Sequence, residues 1–219
     1  MSKLIQALRT LGVCLGLFLA TYASTFAIVH LLKEPLEKVV PLIIGTSLLV
    51  CILLMLALCL FARFRWFDFG FSLPSPVFVG WALGAGIPLA IGLTWLDHLF
   101  GGAGPLAGLS LPLWTSLLYF GVCAPVQEET IFRGLIQTAV GRSSPGGVRI
   151  GSTRISISAL VVAVLFALIH LEVAAFTAFA AFVLGIFAGE LRERSGSLIP
   201  GIIVHALFNL GGLLWSASR

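Results

Sequence analysis

The segment VPLIIGTSLLVCILLMLALCLFA, residues 40–62, runs for 23 positions without a charged side chain. A bilayer's hydrocarbon core is about 30 Å thick and takes roughly 20 apolar helical residues to cross. This segment is therefore long enough to span a membrane as one helix. Segments of similar character lie near 8–31, 76–97, 112–135, 156–172, 173–190 and 197–216. The linkers between them are short and hold helix breakers or charges, as in KEPLEK (33–38), RFRWFDFGFSLPSP (63–76), GGAGPLAG (101–108) and GRSSPGGVRIGSTR (141–154). Composition agrees. The 219 residues are 59% hydrophobic and 10% charged, whereas a soluble domain carries about 25% charged residues. No water-soluble fold of this length hides so much apolar surface. The expected fold is all-α, a polytopic membrane helical bundle of about seven transmembrane helices around a polar intramembrane cavity.

Lys and Arg distribution orients the bundle. With the N-terminus in the cytoplasm, the inner segments hold Lys3, Arg9, Arg63, Arg65, Arg142, Arg149, Arg154, Arg192 and Arg194, and the outer ones hold Lys33, Lys38 and Arg219. Nine against three follows the positive-inside rule. The first apolar run continues to Leu32, so it reads as a span rather than a cleaved signal peptide. The formal charge of +4 comes without basic runs, which argues against a nucleic-acid partner. The four cysteines (Cys14, Cys51, Cys59, Cys123) fall in apolar spans without metal-ligand spacing and read as small core residues. Gly80 with Gly84 and Gly185 with Gly189 have the spacing of close helix contacts.

Against this background the stretch CAPVQEETIFRGL (123–135) stands out, with Glu128, Glu129 and Arg133 inside a span. A charge at mid-helix costs about 2.5–3.5 kcal/mol on insertion scales, so ionisable groups there are functional candidates by default. Glu129 and Arg133 are four apart in the order that favours a same-face ion pair. Glu128 is rotated about 100° away and has no cation on its own helix; a carboxylate so placed suits a general base. His170 closes LFALIH (165–170), one turn after Phe166. His205 and Asn209 lie four apart in PGIIVHALFNLGG (200–212), on one helical face, and offer donors of the kind an oxyanion hole uses. Glu and His can jointly activate a water, while His and Asn stabilise the oxyanion formed when it attacks a carbonyl. A G-x-S-x-G nucleophile and an H-E-x-x-H metal motif are both absent from the chain.

EETIFRG (128–134), FALIH (166–170) and HALFN (205–209), in that order, resemble the motifs of the CPBP family, the CAAX proteases and bacteriocin-processing enzymes also called the ABI family, related to type II CAAX prenyl endopeptidases. The resemblance covers about 110 to 216. It implies a glutamic intramembrane endopeptidase with 1–219 as a single integral membrane domain, in which 1–108 supply accessory N-terminal spans and 109–219 the catalytic core. It further implies Glu128 as general base, His170 helping to activate the water, His205 and Asn209 as the oxyanion hole, and Glu129 and Arg133 in support, with no cofactor and no resident metal. The partner would be a membrane peptide or protein within the lipid bilayer. Short loops favour a bacterial inner-membrane enzyme that processes a peptide or a C-terminal signal. Three other readings use the same side chains: a zinc protease with Glu128, His170 and His205 as ligands, a non-enzymatic immunity or scaffold protein, and a proton-coupled transporter. No inverted repeat supports the last.

Overall fold

The computed structural model describes residues 36–100, 112–171 and 174–217, together with positions 12, 15–20, 22–23, 27 and 31–32. Lys3, Arg9, Cys14, Lys33, Arg219 and most of the proposed first span lie outside the described residues. The described chain is a helical bundle, as composition requires. Helix α1 covers Leu36–Ala62 and α2 covers Pro76–Leu99. A continuous helix α3 extends over 113–143. After a two-stranded hairpin, β1 (Gly147–Ile150) and β2 (Thr153–Ser156), come α4 (Ile157–His170), α5 (Ala175–Ser195) and α6 (Ile199–Ala217).

Three of these helices are long and apolar enough to cross a membrane: Lys38–Ala62 within α1, Pro76–Leu99, and Ala175–Ser195. Helix α4, expected as a full span, has 14 residues. At 1.5 Å per residue it is about 21 Å long, short of a bilayer core. Helix α2 is offset at Ala85, where its two halves, Pro76–Gly84 and Gly86–Leu99, meet. Pro88 explains the offset, because it has no N–H for the Gly84 carbonyl one turn earlier.

Helix α3 is the axis of the bundle. From Glu129 to Gln137 every residue is buried, the mark of a helix covered on all sides. Cys51 and Met55 of α1, Phe166 of α4, Leu184 of α5 and Val204 and Phe208 of α6 close around its Ile131, Phe132, Leu135 and Ile136. Outward-facing positions are apolar as well: Leu60, Phe61, Ile91 and Trp114 are each more than 60% exposed. A polar interior inside an apolar exterior is the arrangement lipid requires. Helices α4 and α5 pack most closely. A Cβ on Gly185 would lie 3.0 Å from Ala163, and one on Gly189 would lie 2.8 Å from Ala159. This second small-residue pair is thus a helix contact, whereas Gly80 and Gly84 face no neighbour within 4 Å. Cys51, Cys59 and Cys123 are all free, with Cys51 fully buried.

The linker 141–154 is more ordered than its glycines suggested. Val148 pairs with Ile155, Arg149 with Arg154 and Ile150 with Thr153, leaving Gly151 and Ser152 as a two-residue turn. Gly151 has φ +60 and Ser152 no positive φ, the type II′ pattern that suits the twist of a hairpin. VRI-GS-TRI is a legible hairpin signal, masked here by the surrounding helices. The linker 63–76 folds as a short 3₁₀ turn, Trp66–Phe69, ended by Gly70 at φ 91. The Arg65 backbone N–H bonds the Asp68 carboxylate at 2.8 Å and, with the Arg65 guanidinium, holds that carboxyl below its ordinary range. Arg192 of α5 donates to the Asp68 carbonyl at 2.6 Å, tying this turn to the same end of the bundle as the hairpin.

Candidate active site

Helix α3 does not keep α-helical register. It runs α through Leu113–Leu118, π through Tyr119–Cys123, α through Ala124–Glu129, π through Thr130–Ile136 and α again through Gln137–Ser143. The two π segments flank the Glu128–Glu129 pair, and such segments are frequent at functional sites. Proline contributes to the first. In π register the Tyr119 carbonyl accepts from the Ala124 N–H, so Phe120 would next pair with residue 125. Pro125 has no N–H. The freed Phe120 carbonyl accepts instead from Asn209 Nδ2 of α6, at 2.9 Å. A lone proline in one helix thereby explains a polar residue in another.

Four of the six candidate residues meet in one buried cluster. Glu129 and Arg133 are fully buried, with Oε1 and Nη1 3.2 Å apart. The same Glu129 oxygen lies 3.0 Å from His205 Nδ1. The opposite ring nitrogen, Nε2, lies 3.7 Å from Glu128 Oε2. One imidazole thus spans two glutamates that leave their helix about 100° apart, since its nitrogens face opposite ways. Because an ionised carboxylate can only accept, Nδ1 carries the proton donated to Glu129. Glu128 is less enclosed, its side chain 22% exposed, and Oε2 has no hydrogen-bond partner.

Arg133 has no hydrogen-bond partner on Nε, Nη1 or Nη2 despite its ion pair. The face of Phe166 covers it instead, with the guanidinium carbon 4.5 Å from the ring centroid, a cation–π contact that gains strength away from water. Phe166 also meets His205 edge-on at 5.5 Å and His170 at 4.6 Å. His170 joins the group only through that ring. Its Nδ1 donates to the Phe166 carbonyl at 2.7 Å, which leaves Nε2 as the acceptor of the neutral imidazole. Helix α3 begins at Leu113, where the apolar run from 112 places it.

Sequence reasoning missed several supporting residues. Gly201 provides space, because a Cβ there would lie 2.8 Å from Glu129 Oε2. Gln127 reaches across to the Ser47 hydroxyl and fastens α1 to α3 just before the glutamates. Tyr22 lies 6.1 Å from Phe132, so the N-terminal segment also packs on α3. The i,i+4 spacings of Glu129 with Arg133 and of His205 with Asn209 were visible in advance; these supporting contacts were not. Among the described residues no three His, Cys, Asp or Glu side chains form a group that could hold a metal ion. Of the residues weighed as zinc ligands, His205 is engaged through Nδ1 by Glu129 and His170 through Nδ1 by a carbonyl.

Residues 110–211, a little under half of the chain, match the family described as Type II CAAX prenyl endopeptidase Rce1-like. Members of that family are membrane-associated endopeptidases, which act on peptides. No curated protein and no solved structure matches the chain.

Proposed function

We propose that this protein is a glutamic intramembrane endopeptidase in which Glu128 takes a proton from water and the hydroxide attacks a peptide carbonyl. The observation that carries this reading is the clamp on His205: Glu129 at Nδ1 and Glu128 facing Nε2. With a proton on Nε2, the ring is a preorganised donor for the oxyanion that forms beside Glu128. His170, with Nε2 open, accepts a hydrogen bond from the water on its other side. On collapse the C–N bond breaks, and Glu128 returns its proton to the leaving amine nitrogen. Glu129 and Arg133 hold the ring and do not exchange protons. The N-terminus lies in the cytoplasm, and the substrate is a bacterial membrane peptide or C-terminal signal.

The test is cleavage of a membrane-peptide library by the purified full chain, read by mass spectrometry with and without a chelator. Glu128→Gln should lower cleavage by roughly 10²–10⁴-fold, the range of a lost general base, and wild-type cleavage should survive chelation. Cleavage abolished by the chelator and restored by zinc would replace this reading with the metal-dependent one. Undiminished cleavage by Glu128→Gln would overturn the role of Glu128.

A further inference from the structure

The hairpin after α3 has two unlike faces. Val148, Ile150, Thr153 and Ile155 share one, and Arg149 and Arg154, directly paired across the strands, share the other. Like charges in that position repel, and among the described residues neither arginine has a carboxylate partner. Nearby acids are otherwise engaged. Glu190 accepts from the Ser156 N–H at 2.6 Å and pairs with Arg194 at 3.1 Å, while Glu193 faces Gln137 and Ser158. Arg194 also donates to the Arg154 carbonyl at 3.2 Å, so the hairpin backbone is tied to α5. An isolated two-stranded hairpin is marginal in water; this one is built into the bundle.

Under its apolar face lies a cavity of about 720 Å³ between α2 and α5, walled by Phe78, Trp81, Leu89, Val183, Phe187 and Ile155, with Arg194 at its edge. A second, polar cavity of about 320 Å³ holds Arg154 and shares Glu190 and Arg194 with the first. Val148 and Ile150 of the hairpin are exposed, and Trp81 in the wall of the first cavity is 59% exposed, as befits a residue at a membrane–water boundary. An apolar slot with Arg194 at its rim, paired with Glu190, adjoins a polar cavity that holds Arg154, whose guanidinium has no carboxylate partner among the described residues. Such a pairing of apolar and cationic parts is complementary to one class of molecule.

We infer that this is a binding site for an anionic phospholipid of the surrounding bilayer, with an acyl chain in the cavity below Ile155 and the phosphate on Arg154 and Arg194, with Arg149 alongside. The guanidinium fork suits a phosphate oxyanion, and basic residues at this level are attracted to acidic headgroups. The site is separate from the Glu128 cluster and does not depend on its chemistry.

The test is a full-length variant that keeps Trp81 and has Phe at the other four tryptophans, reconstituted in phosphatidylcholine vesicles. Brominated phosphatidylglycerol should quench Trp81 at a mole fraction about thirtyfold lower than brominated phosphatidylcholine, two surface arginines being worth about that factor. The preference should fall to near unity in Arg149→Gln/Arg154→Gln and persist in Arg149→Lys/Arg154→Lys. Native mass spectrometry of the otherwise unmodified chain provides a second reading that leaves the tryptophans untouched: retained phosphatidylglycerol should exceed phosphatidylcholine and be lost in the glutamine pair. Equal quenching by both lipids, or a preference unchanged in the glutamine pair, would overturn the assignment.

Discussion

At the scale of single residues the site depends on space as much as on charge. Gly201 has no side chain because the Glu129 carboxylate occupies that volume, 2.8 Å from where a Cβ would stand. Gly201→Ala should therefore displace Glu129 from His205 and reduce the cleavage rate with little change in KM, since it alters ring orientation rather than substrate contacts. Parallel kinetics of the variant and wild type check this, and an unchanged rate would mean that Glu129 does not orient the ring. Arg133→Met should be worse for the fold than for the chemistry. It strands a fully buried carboxylate, a change that costs about 3–5 kcal/mol when one partner of a buried pair is removed. A thermal melt in detergent should show a marked drop. The spacing of Glu129 and Arg133 was readable from the chain, but the placement of Phe166 over the guanidinium was not, because no local pattern joins α3 to α4.

At the scale of elements, the break in α3 and the amide of α6 act as a pair. Asn209 donates to the Phe120 carbonyl that Pro125 leaves without a partner, and an unsatisfied buried carbonyl costs about 1–3 kcal/mol. In wild type, Asn209→Leu should lower stability by about that amount. In a Pro125→Ala background a backbone N–H can take over, so the same change should cost much less. Melting curves for the four members of this cycle measure the coupling. If additive losses are found, Asn209 does not act through that carbonyl. The cycle also separates two roles: activity lost with Asn209 in both backgrounds points to the oxyanion, and activity restored with Pro125→Ala points to support of the helix. Helix identities and the two motif helices were legible from apolar run length and i,i+4 spacing. The π segments were not, because a change from i−4 to i−5 pairing leaves no mark in hydrophobic periodicity.

At the scale of the whole molecule the arginines gather at one end. Arg142 lies over the Phe64 ring at 4.1 Å, Arg192 grips the Trp66–Phe69 turn, and Arg194 holds the hairpin. The loop 63–75 and the hairpin must then lie on the same side of the bilayer. Cysteines introduced at Leu73 and Ser152, with the four native cysteines replaced, should both react with an impermeant thiol reagent in inverted membrane vesicles and be protected in right-side-out ones. Labelling from opposite sides would contradict the arrangement, and labelling of both from the outside would reverse the proposed orientation.

Composition was enough to require a helical membrane bundle, since an apolar chain this long must satisfy its backbone within helices once it leaves water. Charges inside apolar spans and i,i+4 spacing marked Glu128, Glu129, Arg133, His170, His205 and Asn209 as candidates, and the fold brings four of them together. Their partnerships belong to the tertiary structure. That one imidazole bridges two glutamates, that Asn209 answers a proline in another helix, and that a hairpin closes an apolar cavity next to a polar one holding Arg154 all depend on distances between segments far apart in the chain. Those distances are set by the packing of α3 against α1, α4, α5 and α6, which no local pattern encodes.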